Sequence, residues 1–486
     1  MEDGKEIDEK RVNEAEAVKA KANEHFREKN YEEAIRLYTE AIKLNPNAAA
    51  YYANRSIANL RKEYYGDALA DATRAVDLDR AYVKGYYRRA AANMAMGRFK
   101  ASLKDFETVV RVRPGDKDAR QKYQQCQKIV RQKAFEKAIA VDAKETKLPS
   151  ESIVVEDIDV EEKYEGPRFD EEITADFMVS LLTWQRDQKT LHKKYAYKIL
   201  LGVKELLVAD LTLVSVPIPD GSKFTVCGDI HGQYYDLLNI FKLNGVPSEA
   251  NPYLFNGDFV DRGSFSVEVI LTLFGYKLLY PKFFFMSRGN HESANMNLMY
   301  GFHGEVKSKY NAHMAELFTE IYNHLPLAHC LSDRVLVMHG GLFSRDGVTL
   351  DDIRKVDRNQ EPPDQGIMCE LLWSDPQDQW GRSASKRGVG TQFGPDVTER
   401  FCSENNLEYI IRSHEVKPNG YEVAHNGQCI TVFSAPNYCD QMDNRGAFIT
   451  MSSDLKPEFT TFRAVPHPDV KPMAYANILL SGLGLM

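Results

Sequence analysis

The sequence has few cysteines, no paired cysteine motif and no long apolar run. Its seven cysteines are odd in number and never occur as CxxC, which excludes both a disulfide framework and a zinc knuckle. No apolar run is long enough to span a bilayer, and the charged opening MEDGKEIDEKR lacks the apolar core of a signal peptide. We therefore expect no membrane span and a reducing location, the cytoplasm or the nucleus.

An excess of positive charge is also missing. The 62 basic residues are outnumbered by 70 acidic ones, and the formal net charge is −8. This balance argues against a general nucleic-acid binder and favours protein or small-molecule partners. A chain of 486 residues with 43% apolar and 27% charged residues is typical of a globular protein that is too long for one ordinary core. The composition thus predicts two or more domains.

Small residues recur at a 34-residue interval near the N-terminus. The two series are Ala22, Ser56 and Ala90, and Ala34, Ala68 and Ser102. Paired antiparallel helices need small residues where they cross closely, so this period predicts stacked helix pairs. The alternative is a helical bundle whose spacing is coincidental. The pattern resembles three tetratricopeptide repeats, and we assign residues 12–120 to an all-α repeat domain.

Two different segments follow the repeats within residues 121–168. The stretch DARQKYQQCQKIVRQKAFEKAIA has helical spacing without glycine or proline, which predicts a capping helix over the last repeat. The stretch ESIVVEDIDVEEKYEGPR is strongly acidic and ends in glycine and proline. We interpret this second stretch as a linker.

Beyond the linker, helical stretches alternate with short apolar runs. The runs are KFTVC, YLFN, KFFFMS, RVLVM, EYIIR and ITVFS. Their length and composition are typical of buried strands, so residues 169–475 are predicted to form a mixed α/β domain. Chemistry in such a domain belongs on the loops that follow the strands.

The loops after the first five runs all carry side chains that can bind a metal. They are Asp229 and His231 in GDIHG, Asp258 in GDFVDRG, Asn290 and His291 in RGNHE, His339 in HGG, and His414 in RSHE. Oxygen and imidazole ligands without a thiolate suit manganese, iron or zinc in a hydrolytic site, and suit a closed structural zinc poorly. A single histidine after a strand is more often structural, but five such loops in series favour a metal centre.

Together with SAPNYC, these motifs resemble the phosphoprotein phosphatase family of serine/threonine phosphatases. The resemblance implies an α/β metallophosphatase domain with a central β-sandwich flanked by helices, which hydrolyses phosphoserine and phosphothreonine monoesters with a metal-activated hydroxide. It implies two divalent ions, with manganese expected and iron or zinc as alternatives. One ion would be held by Asp229, His231 and Asp258, and the other by Asp258, Asn290, His339 and His414.

The same resemblance gives roles to further residues. His291 would be the general acid, oriented by Asp261, since histidine titrates near working pH and a carboxylate fixes its tautomer. Arg262 and Arg387 would bind the substrate phosphate with their planar guanidinium groups, and Tyr438 would line the same pocket. The alternative for Asp261 and Arg262 is a surface ion pair in a tight turn.

The repeats carry a second set of matching residues, namely Lys19, Asn23, Asn54, Lys84 and Arg88. They match the clamp with which similar repeat domains hold the C-terminal acidic tail of heat-shock protein 90. A terminal carboxylate and an acidic side chain require cations and amide donors on one face. The alternative is that these residues are ordinary solvated charges.

The resemblance also implies autoinhibition and its release. The repeat domain would cover the catalytic cleft, with Glu63 reaching Arg262, and the apolar C-terminal tail, residues 476–486, would support the closed form. Fatty acids or chaperone tails would open it. Two other functions compete with a phosphoprotein phosphatase: a catalytically silent co-chaperone scaffold, and a two-metal enzyme acting on phosphodiesters or nucleotides. The complete set of ligands, arginines and general acid argues against the first, and VDRG, RGNHE and SAPNYC argue against the second.

Overall fold

The computed structural model describes residues 9–142 and 147–476. Among these residues the chain forms two compact units. The first contains residues 9–142 together with 385–388, and the second contains residues 147–384 and 389–476. The predicted regulatory tail, residues 476–486, lies outside the described residues except for Ala476. No described helix combines the length and apolar character that a membrane crossing requires.

The first unit is built from helices that each pack against the next one in the chain. They are α1 (Glu9–Arg27), α2 (Tyr31–Leu44), α3 (Ala49–Arg61), α4 (Tyr65–Leu78), α5 (Val83–Ala95), α6 (Phe99–Val112) and α7 (Lys117–Asp142). All six residues of the 34-residue series are fully buried. The predicted stack of helix pairs is therefore confirmed, because the small side chains lie in the core between the helices.

Two ion pairs repeat with the same 34-residue period. Arg55 on α3 donates to both carboxylate oxygens of Asp71 on α4, at 2.6 and 2.9 Å. Arg89 on α5 makes the same two contacts with Asp105 on α6, both at 2.8 Å. Both carboxylates are buried. Two-pronged arginine–carboxylate contacts fix orientation as well as distance, so each pair sets how its two helices cross.

The second unit alternates helices and strands. Its helices are α8 (Ala175–Arg186), α9 (Lys193–Ala209), α10 (Tyr234–Asn244), α11 (Ser266–Leu279), α12 (Ala294–Tyr300), α13 (Phe302–Lys309), α14 (Ala312–Tyr322), α15 (Leu350–Arg354), α16 (Ile367–Trp373) and α17 (Pro395–Glu404). Its strands are β1 (Leu213–Val216), β2 (Phe224–Cys227), β3 (Tyr253–Phe255), β4 (Phe284–Met286), β5 (Ala328–Leu331), β6 (Val335–Met338), β7 (Asp375–Pro376), β8 (Arg382–Ala384), β9 (Thr391–Phe393), β10 (Tyr409–Arg412), β11 (Tyr421–Ala424), β12 (Cys429–Val432), β13 (Gly446–Met451) and β14 (Glu458–Phe462).

The strands form two large sheets that pack face to face. One has the order β1-β5-β6-β10-β12-β11 and the other β14-β13-β2-β3-β4, while β7, β9 and β8 form a small third sheet. Aliphatic side chains from both large sheets, including Val226, Val337 and Ile449, share one core. Helices α8, α9 and α11 cover the outer face of β2–β4, and α16 and α17 pack beside β6 and β10. The predicted α/β domain with a central sandwich flanked by helices is confirmed.

All six predicted strands are present, as β2, β3, β4, β6, β10 and β12. Within their sheets, β2, β3 and β4 run parallel, and so do β6, β10 and β12. Their carboxyl ends therefore meet at one edge of each sheet. The other strands of the two large sheets, β1, β5, β11, β13 and β14, were not predicted.

The acidic segment that we interpret as a linker belongs to the second unit in the structure. Ile153, Ile158 and Val160 pack against the core formed with α8, α9 and α11, and Val155 is buried there. Ser150 donates to the carboxylate of Glu320 on α14 through both its amide and its hydroxyl group, at 3.0 and 2.7 Å. The apolar residues thus anchor the segment, while its acidic side chains face solvent.

Candidate active site

The six predicted metal ligands lie on loops at the carboxyl ends of five strands, and the structure brings them together. His339, after β6, has its Nε2 3.0 Å from Asn290 Oδ1, 3.2 Å from His414 Nδ1 and 3.3 Å from Asp258 Oδ2. His231, after β2, has its Nε2 3.5 Å from Asp258 Oδ2 and 3.6 Å from Asp229 Oδ2. All six residues are buried, with at most 7% of their surface exposed. The cluster draws on both sheets, with Asp258 near its centre.

Two overlapping groups in this cluster have the geometry to hold a cation. Asp258, His339 and His414 form one, and His231, Asp258 and His291 form the other. In each group the ligand atoms lie within 4.8 Å of one another. The second group contains His291 where the sequence predicted Asp229. Imidazole nitrogens and carboxylate oxygens are ligands that suit divalent ions, and the division of the predicted ligands between two ions stays a prediction.

Burial sets the electrostatics of these ligands. It raises the pKa of the Asp229 carboxyl to about 7, and it lowers the pKa values of His231 and His339 below the usual histidine range. Loss of water disfavours the charged form of a carboxylate and of an imidazole alike. Divalent cations reverse this balance for a carboxylate, since they favour its ionised form. The donor set is therefore suited to holding metal.

Two histidines have their tautomers fixed by backbone carbonyls. His231 Nδ1 donates to the carbonyl of Val260 at 3.0 Å, and His339 Nδ1 donates to the carbonyl of Asn256 at 2.8 Å. Because a carbonyl only accepts, each Nδ1 carries the proton and each Nε2 is left as a donor atom for a metal. Asn256, which we did not predict, is held by its own side-chain contacts to Met338 and Ser413.

The site loops have unusual backbone conformations. His231, Asp258, Asp261, Arg262 and His414 all adopt the left-handed region, with φ between 46° and 71°. Residues with a Cβ avoid this region, so each such residue stores a little strain that the surrounding fold must hold. The concentration of these residues in one place is typical of a functional site.

His291 and Asp261 form the buried pair that the sequence predicted as general acid and orienting carboxylate. His291 Nδ1 lies 2.8 Å from Asp261 Oδ2, and the His291 amide donates to Asp258 Oδ1 at 2.9 Å. Asp261 also accepts from Asn297 Nδ2 at 3.0 Å and from the Phe302 amide at 2.9 Å. Burial raises the pKa of the Asp261 carboxyl to about 7. These contacts orient the imidazole beside the ligand cluster.

The predicted phosphate-binding residues fall into two places. Arg262 is buried in the second unit, where its guanidinium stacks 3.8 Å from the centre of the Tyr300 ring. The Tyr438 ring lies 5.1 Å from that of His231. Arg387 belongs to segment 385–388 of the first unit, where its Nη1 lies 3.8 Å from a carboxylate oxygen of Glu63. The structure therefore places Arg262 and Tyr438 beside the ligands, and the predicted contact of Glu63 with Arg262 stays a prediction.

Glu292, the last residue of RGNHE, is a site residue that our sequence reasoning missed. Its carboxylate accepts from the amides of Asp258 at 2.8 Å, Phe259 at 2.9 Å and Gly289 at 2.9 Å. It is fully buried, and burial together with the nearby Asp258 raises its pKa to about 8. Glu292 thus ties the loop after β3 to the loop after β4. Its place in the motif, directly after His291, was the available signal.

In the first unit, the predicted peptide-binding residues lie on the first helix of each pair. Lys19 and Asn23 are on α1, Asn54 is on α3, and Lys84 and Arg88 are on α5. Asn54 Nδ2 donates to Asn23 Oδ1 at 3.3 Å, which joins α1 to α3. Lys84 is exposed, whereas Arg88 is partly buried and burial lowers its pKa. The structure brings the two asparagines together and sets the cations on the same series of helices.

Comparison with known proteins matches both units. Residues 222–418 match the family described as Calcineurin-like phosphoesterase, residues 15–48 match Tetratricopeptide repeat, and residues 123–215 match the PPP5 TPR repeat region. Serine/threonine-protein phosphatase 5 of Homo sapiens is 63% identical, with 97% of this chain and 95% of the relative covered. Serine/threonine-protein phosphatase 5 of Arabidopsis thaliana is 51% identical, with 96% and 98% covered.

A solved structure agrees with these relatives. It is described as a protein serine/threonine phosphatase from Saccharomyces cerevisiae with similarity to human phosphatase PP5. It is 42% identical, with a TM-score of 0.59, and the match covers 62% of this chain and all of that one.

The fold and the site are those of a calcineurin-like phosphoesterase preceded by tetratricopeptide repeats, and such a phosphoesterase works with divalent metal ions. The chain belongs to the serine/threonine-protein phosphatase 5 family, and its enzyme class is protein-serine/threonine phosphatase, a phosphoric monoester hydrolase.

Proposed function

We propose that the chain hydrolyses phosphoserine and phosphothreonine monoesters of protein substrates, with two divalent ions in the buried cluster. The observation that carries this proposal is the His291–Asp261 pair, with 2.8 Å between the two side chains, set directly beside that cluster. A hydrolytic site for monoesters needs a proton donor for the departing alkoxide, and an imidazole oriented by a carboxylate is suited to that role.

The ligand geometry also supports the proposed metals. One ion would be held by Asp229, His231 and Asp258, and the other by Asp258, Asn290, His339 and His414; manganese is the expected metal, with iron or zinc as alternatives. When bound, such ions supply a water nucleophile that is acidic enough to ionise near neutral pH, and positive charge for the phosphoryl oxygens.

The protein side chains supply the remaining steps. Arg262 and Arg387 bind the phosphoryl oxygens with charge-assisted hydrogen bonds, and Tyr438 lines the pocket. As the oxygen of water bonds to phosphorus, the bond from phosphorus to the serine or threonine oxygen breaks. His291 Nε2 gives its proton to that departing oxygen, while Asp261 holds Nδ1 and stabilises the charged imidazole. His291 then takes a proton from water to begin another cycle.

The test is manganese-dependent hydrolysis of a phosphoserine peptide by the purified full chain and by His291→Asn. We expect kcat to fall roughly 10²- to 10⁴-fold in the variant, as is usual when a general acid is lost, with metal content unchanged. A metal-loaded wild type that hydrolyses no phosphopeptide would leave the silent co-chaperone scaffold as the better reading. Faster turnover of a dinucleotide than of the phosphopeptide would favour the phosphodiester alternative.

For the repeats, we propose that Lys19, Asn23, Asn54, Lys84 and Arg88 bind the C-terminal acidic tail of heat-shock protein 90. Their support is the Asn23–Asn54 contact together with exposed or partly exposed cations on neighbouring helices. The test is binding of a fluorescent peptide with that tail to wild type and to Lys84→Glu. Reversing one of the cations that face the terminal carboxylate should weaken binding at least about tenfold. The matched control is the same peptide with an amidated C-terminus, which should bind weakly to both proteins.

We also propose that the repeats inhibit the enzyme through Glu63 and the C-terminal tail. Fatty acids or the chaperone tail would relieve this inhibition. The location we propose for the protein is the cytoplasm and the nucleus. The support is an acidic side chain, Glu63, that already approaches a phosphate-binding arginine within the first unit. Removal of residues 1–146 should raise turnover of a phosphopeptide, and Glu63→Gln should raise it in part. Equal turnover of all three proteins would contradict the proposal. Imaging of the tagged chain tests its location.

A further inference from the structure

Arg262 also lines an open pocket whose other residues have no part in the chemistry proposed above. It opens to solvent and contains about 400 Å³ of free space, its mouth included. Its walls come from α10, from the loop before α11, from the loop after β12 and from residues 467–472 of the C-terminal stretch. The side chains that give the pocket its character are Tyr235, Asp236, Arg262, Phe265, Asp440 and His467.

Three rings form one side of this pocket. Phe265 meets Tyr235 edge to face, with ring centres 5.2 Å apart, and it meets His467 with ring centres 6.4 Å apart. All three rings are at least partly exposed. Aromatic faces that border an open pocket attract cations and also pack against aliphatic chains.

Carboxylates stand beside the rings. Asp440 is exposed, and its Oδ1 lies 3.2 Å from His467 Nε2. Asp236 is buried and accepts from Gln233 Nε2 at 2.8 Å and from the Val465 amide at 3.0 Å. Arg262 lines the same pocket, so Asp440, exposed beside the aromatic faces, is the group that can pair with a positively charged guest.

The C-terminal wall of the pocket is held in place by hydrogen bonds. Ser264 Oγ donates to the carbonyl of Lys471 at 2.6 Å and accepts from the Ala474 amide at 3.1 Å. The Met473 amide donates to the carbonyl of Arg262 at 2.8 Å. The pocket is thus preformed. Arg262, which we expect to hold the substrate phosphate, is hydrogen-bonded to the same C-terminal stretch. A preformed pocket avoids the ordering cost of assembling one.

We propose that this pocket binds the side chain of a lysine or arginine that lies near the phosphorylated residue of the substrate. The inference rests on the proposed function, because Arg262 must hold the phosphate for the pocket to receive a neighbouring residue. Successive residues of an extended peptide are spaced about 3.3–3.6 Å apart, so a residue within three positions of the phosphate can reach the pocket. The chain would then prefer substrates with a basic residue at one fixed position.

The experiment measures kcat/KM of the manganese-loaded full chain on a set of phosphothreonine peptides. Arginine, alanine or glutamate is placed in turn at each of the three positions on either side of the phosphothreonine. We expect arginine to exceed alanine by about three- to tenfold at one position, as a cation against aromatic faces would give, with glutamate below alanine there. In Asp440→Asn and Phe265→Leu, the ratio of arginine to alanine at that position should fall toward one.

The ratio is used because it does not depend on the total activity of a variant. Trp380→Ala is the matched control: Trp380 is an aromatic residue of the same unit, 81% exposed and outside the pocket, and its loss should leave the ratio unchanged. Hydrolysis of all peptides without a basic preference would overturn the inference and leave the proposed function standing. A preference that survives both pocket variants would also overturn it. Failure to hydrolyse any peptide would overturn the proposed function, and this inference with it.

Discussion

The two units differ in how they arrange their buried carboxylates. In the first, buried carboxylates are distributed along the chain, and Asp71 and Asp105 each meet an arginine in a contact that recurs after 34 residues. The second unit also has paired carboxylates, such as Glu268 with Lys309, but it gathers a further group of buried carboxylates and imidazoles at one edge of the sandwich, where burial raises the pKa of both Asp229 and Asp261 to about 7. In the first unit, each of these carboxylates is neutralised by one arginine, whereas the cluster in the second unit is suited to binding cations.

The two arrangements differ in how far the effect of a single substitution should spread. An arginine–carboxylate pair fixes one helix crossing and can be lost without affecting the next, since a repeat contacts mainly its neighbours. The cluster in the second unit depends on several strained loops at once, because residues such as Asp258 and His414 hold left-handed conformations. A change at one loop of the cluster should therefore disturb all of it.

The largest effect is expected from Gly257→Ala, in the loop between β3 and Asp258. Gly257 has φ of +86°, and a Cβ there would lie 2.7 Å from the Gly289 backbone and 2.7 Å from His339 Nδ1. The alanine would push two ligand-bearing loops apart. We expect a loss of about 3 kcal/mol in stability of the second unit and at least about a hundredfold in kcat/KM, measured by denaturation and phosphopeptide hydrolysis.

The control for this change is Gly221→Ala. Gly221 also has positive φ, +76°, but no atom lies within 4 Å of a Cβ there. Only the backbone strain applies, which costs about 1 kcal/mol, and activity should stay at the wild-type level. Equal losses in the two variants would show that positive φ alone, and not the close loop packing, limits the site.

Glu292→Gln should have the next largest effect. One carboxylate oxygen accepts from the amides of Asp258 and Gly289, and the other accepts from the amide of Phe259. In the glutamine variant an NH₂ group replaces one of these oxygens, so at least one backbone N–H would face another donor. Because Asp258 would shift with its loop, we expect kcat to fall about tenfold to a hundredfold and manganese affinity to weaken about tenfold. Metal titration followed by phosphopeptide kinetics measures both. Glu399→Gln, on the exposed side of α17, is the control, and a fall in stability without weaker metal binding would contradict the positioning role.

More of the first unit than of the second could be predicted from the sequence. Its contacts are local and periodic, so Ala22, Ser56 and Ala90 were enough to indicate the helix pairs before the structure showed them buried. Yet the ion pairs Arg55–Asp71 and Arg89–Asp105 went unnoticed, although they share the period. Arginine and aspartate are common on exposed helix faces, so their recurrence alone does not indicate a buried ion pair.

In the second unit, the sequence predicted the strands that carry ligands but not the network that holds them. Runs such as RVLVM point to a buried strand, and the polar residue after each run indicates a site. The contacts of Glu292 with two separate loops join residues that are up to 34 positions apart, and no periodic pattern marks them. β14 was missed because EFTTF contains no two adjacent apolar residues, whereas β13 was missed although Ala447, Phe448 and Ile449 are adjacent and apolar.

Arg89→Ala tests the first unit. The substitution leaves Asp105 buried without its partner, and we expect the helical unit to lose about 2 kcal/mol of stability, since an uncompensated buried charge is costly. Far-ultraviolet circular dichroism during chemical denaturation measures the helical transition. The double variant Arg89→Ala, Asp105→Ala should recover part of the loss. Arg36→Ala, in an exposed pair with Glu33, is the control and should not shift the transition, and a similar shift in both would mean that burial is irrelevant to the pair.

The smallest expected effect is a loss of stability in acid. It distinguishes the two units, because His25 is the sole histidine among residues 1–146 of the sequence. His329 on β5 is fully buried beside Ser287, and burial lowers its pKa to about 3 from its ordinary 6.5. Between pH 6.5 and pH 3 the unfolded chain binds a proton at this histidine that the folded chain does not bind. The folded state is therefore fully stable above pH 6.5 in this respect and loses stability as the pH falls toward 3. Between pH 7 and pH 5.5 this side chain alone should cost the second unit about 1 kcal/mol.

His329→Gln should therefore flatten the pH dependence of the second unit's thermal transition by that amount, because glutamine can keep the contact with Ser287 and does not titrate. The loss of metal from the ligand histidines in acid is common to wild type and variant, so the difference between their slopes isolates His329. His313→Gln, at a largely exposed position on α14, should leave the slope as it is. If the His329 variant were as sensitive to acid as the wild type, the acid sensitivity of this unit would lie in the ligand cluster and not in its sheet.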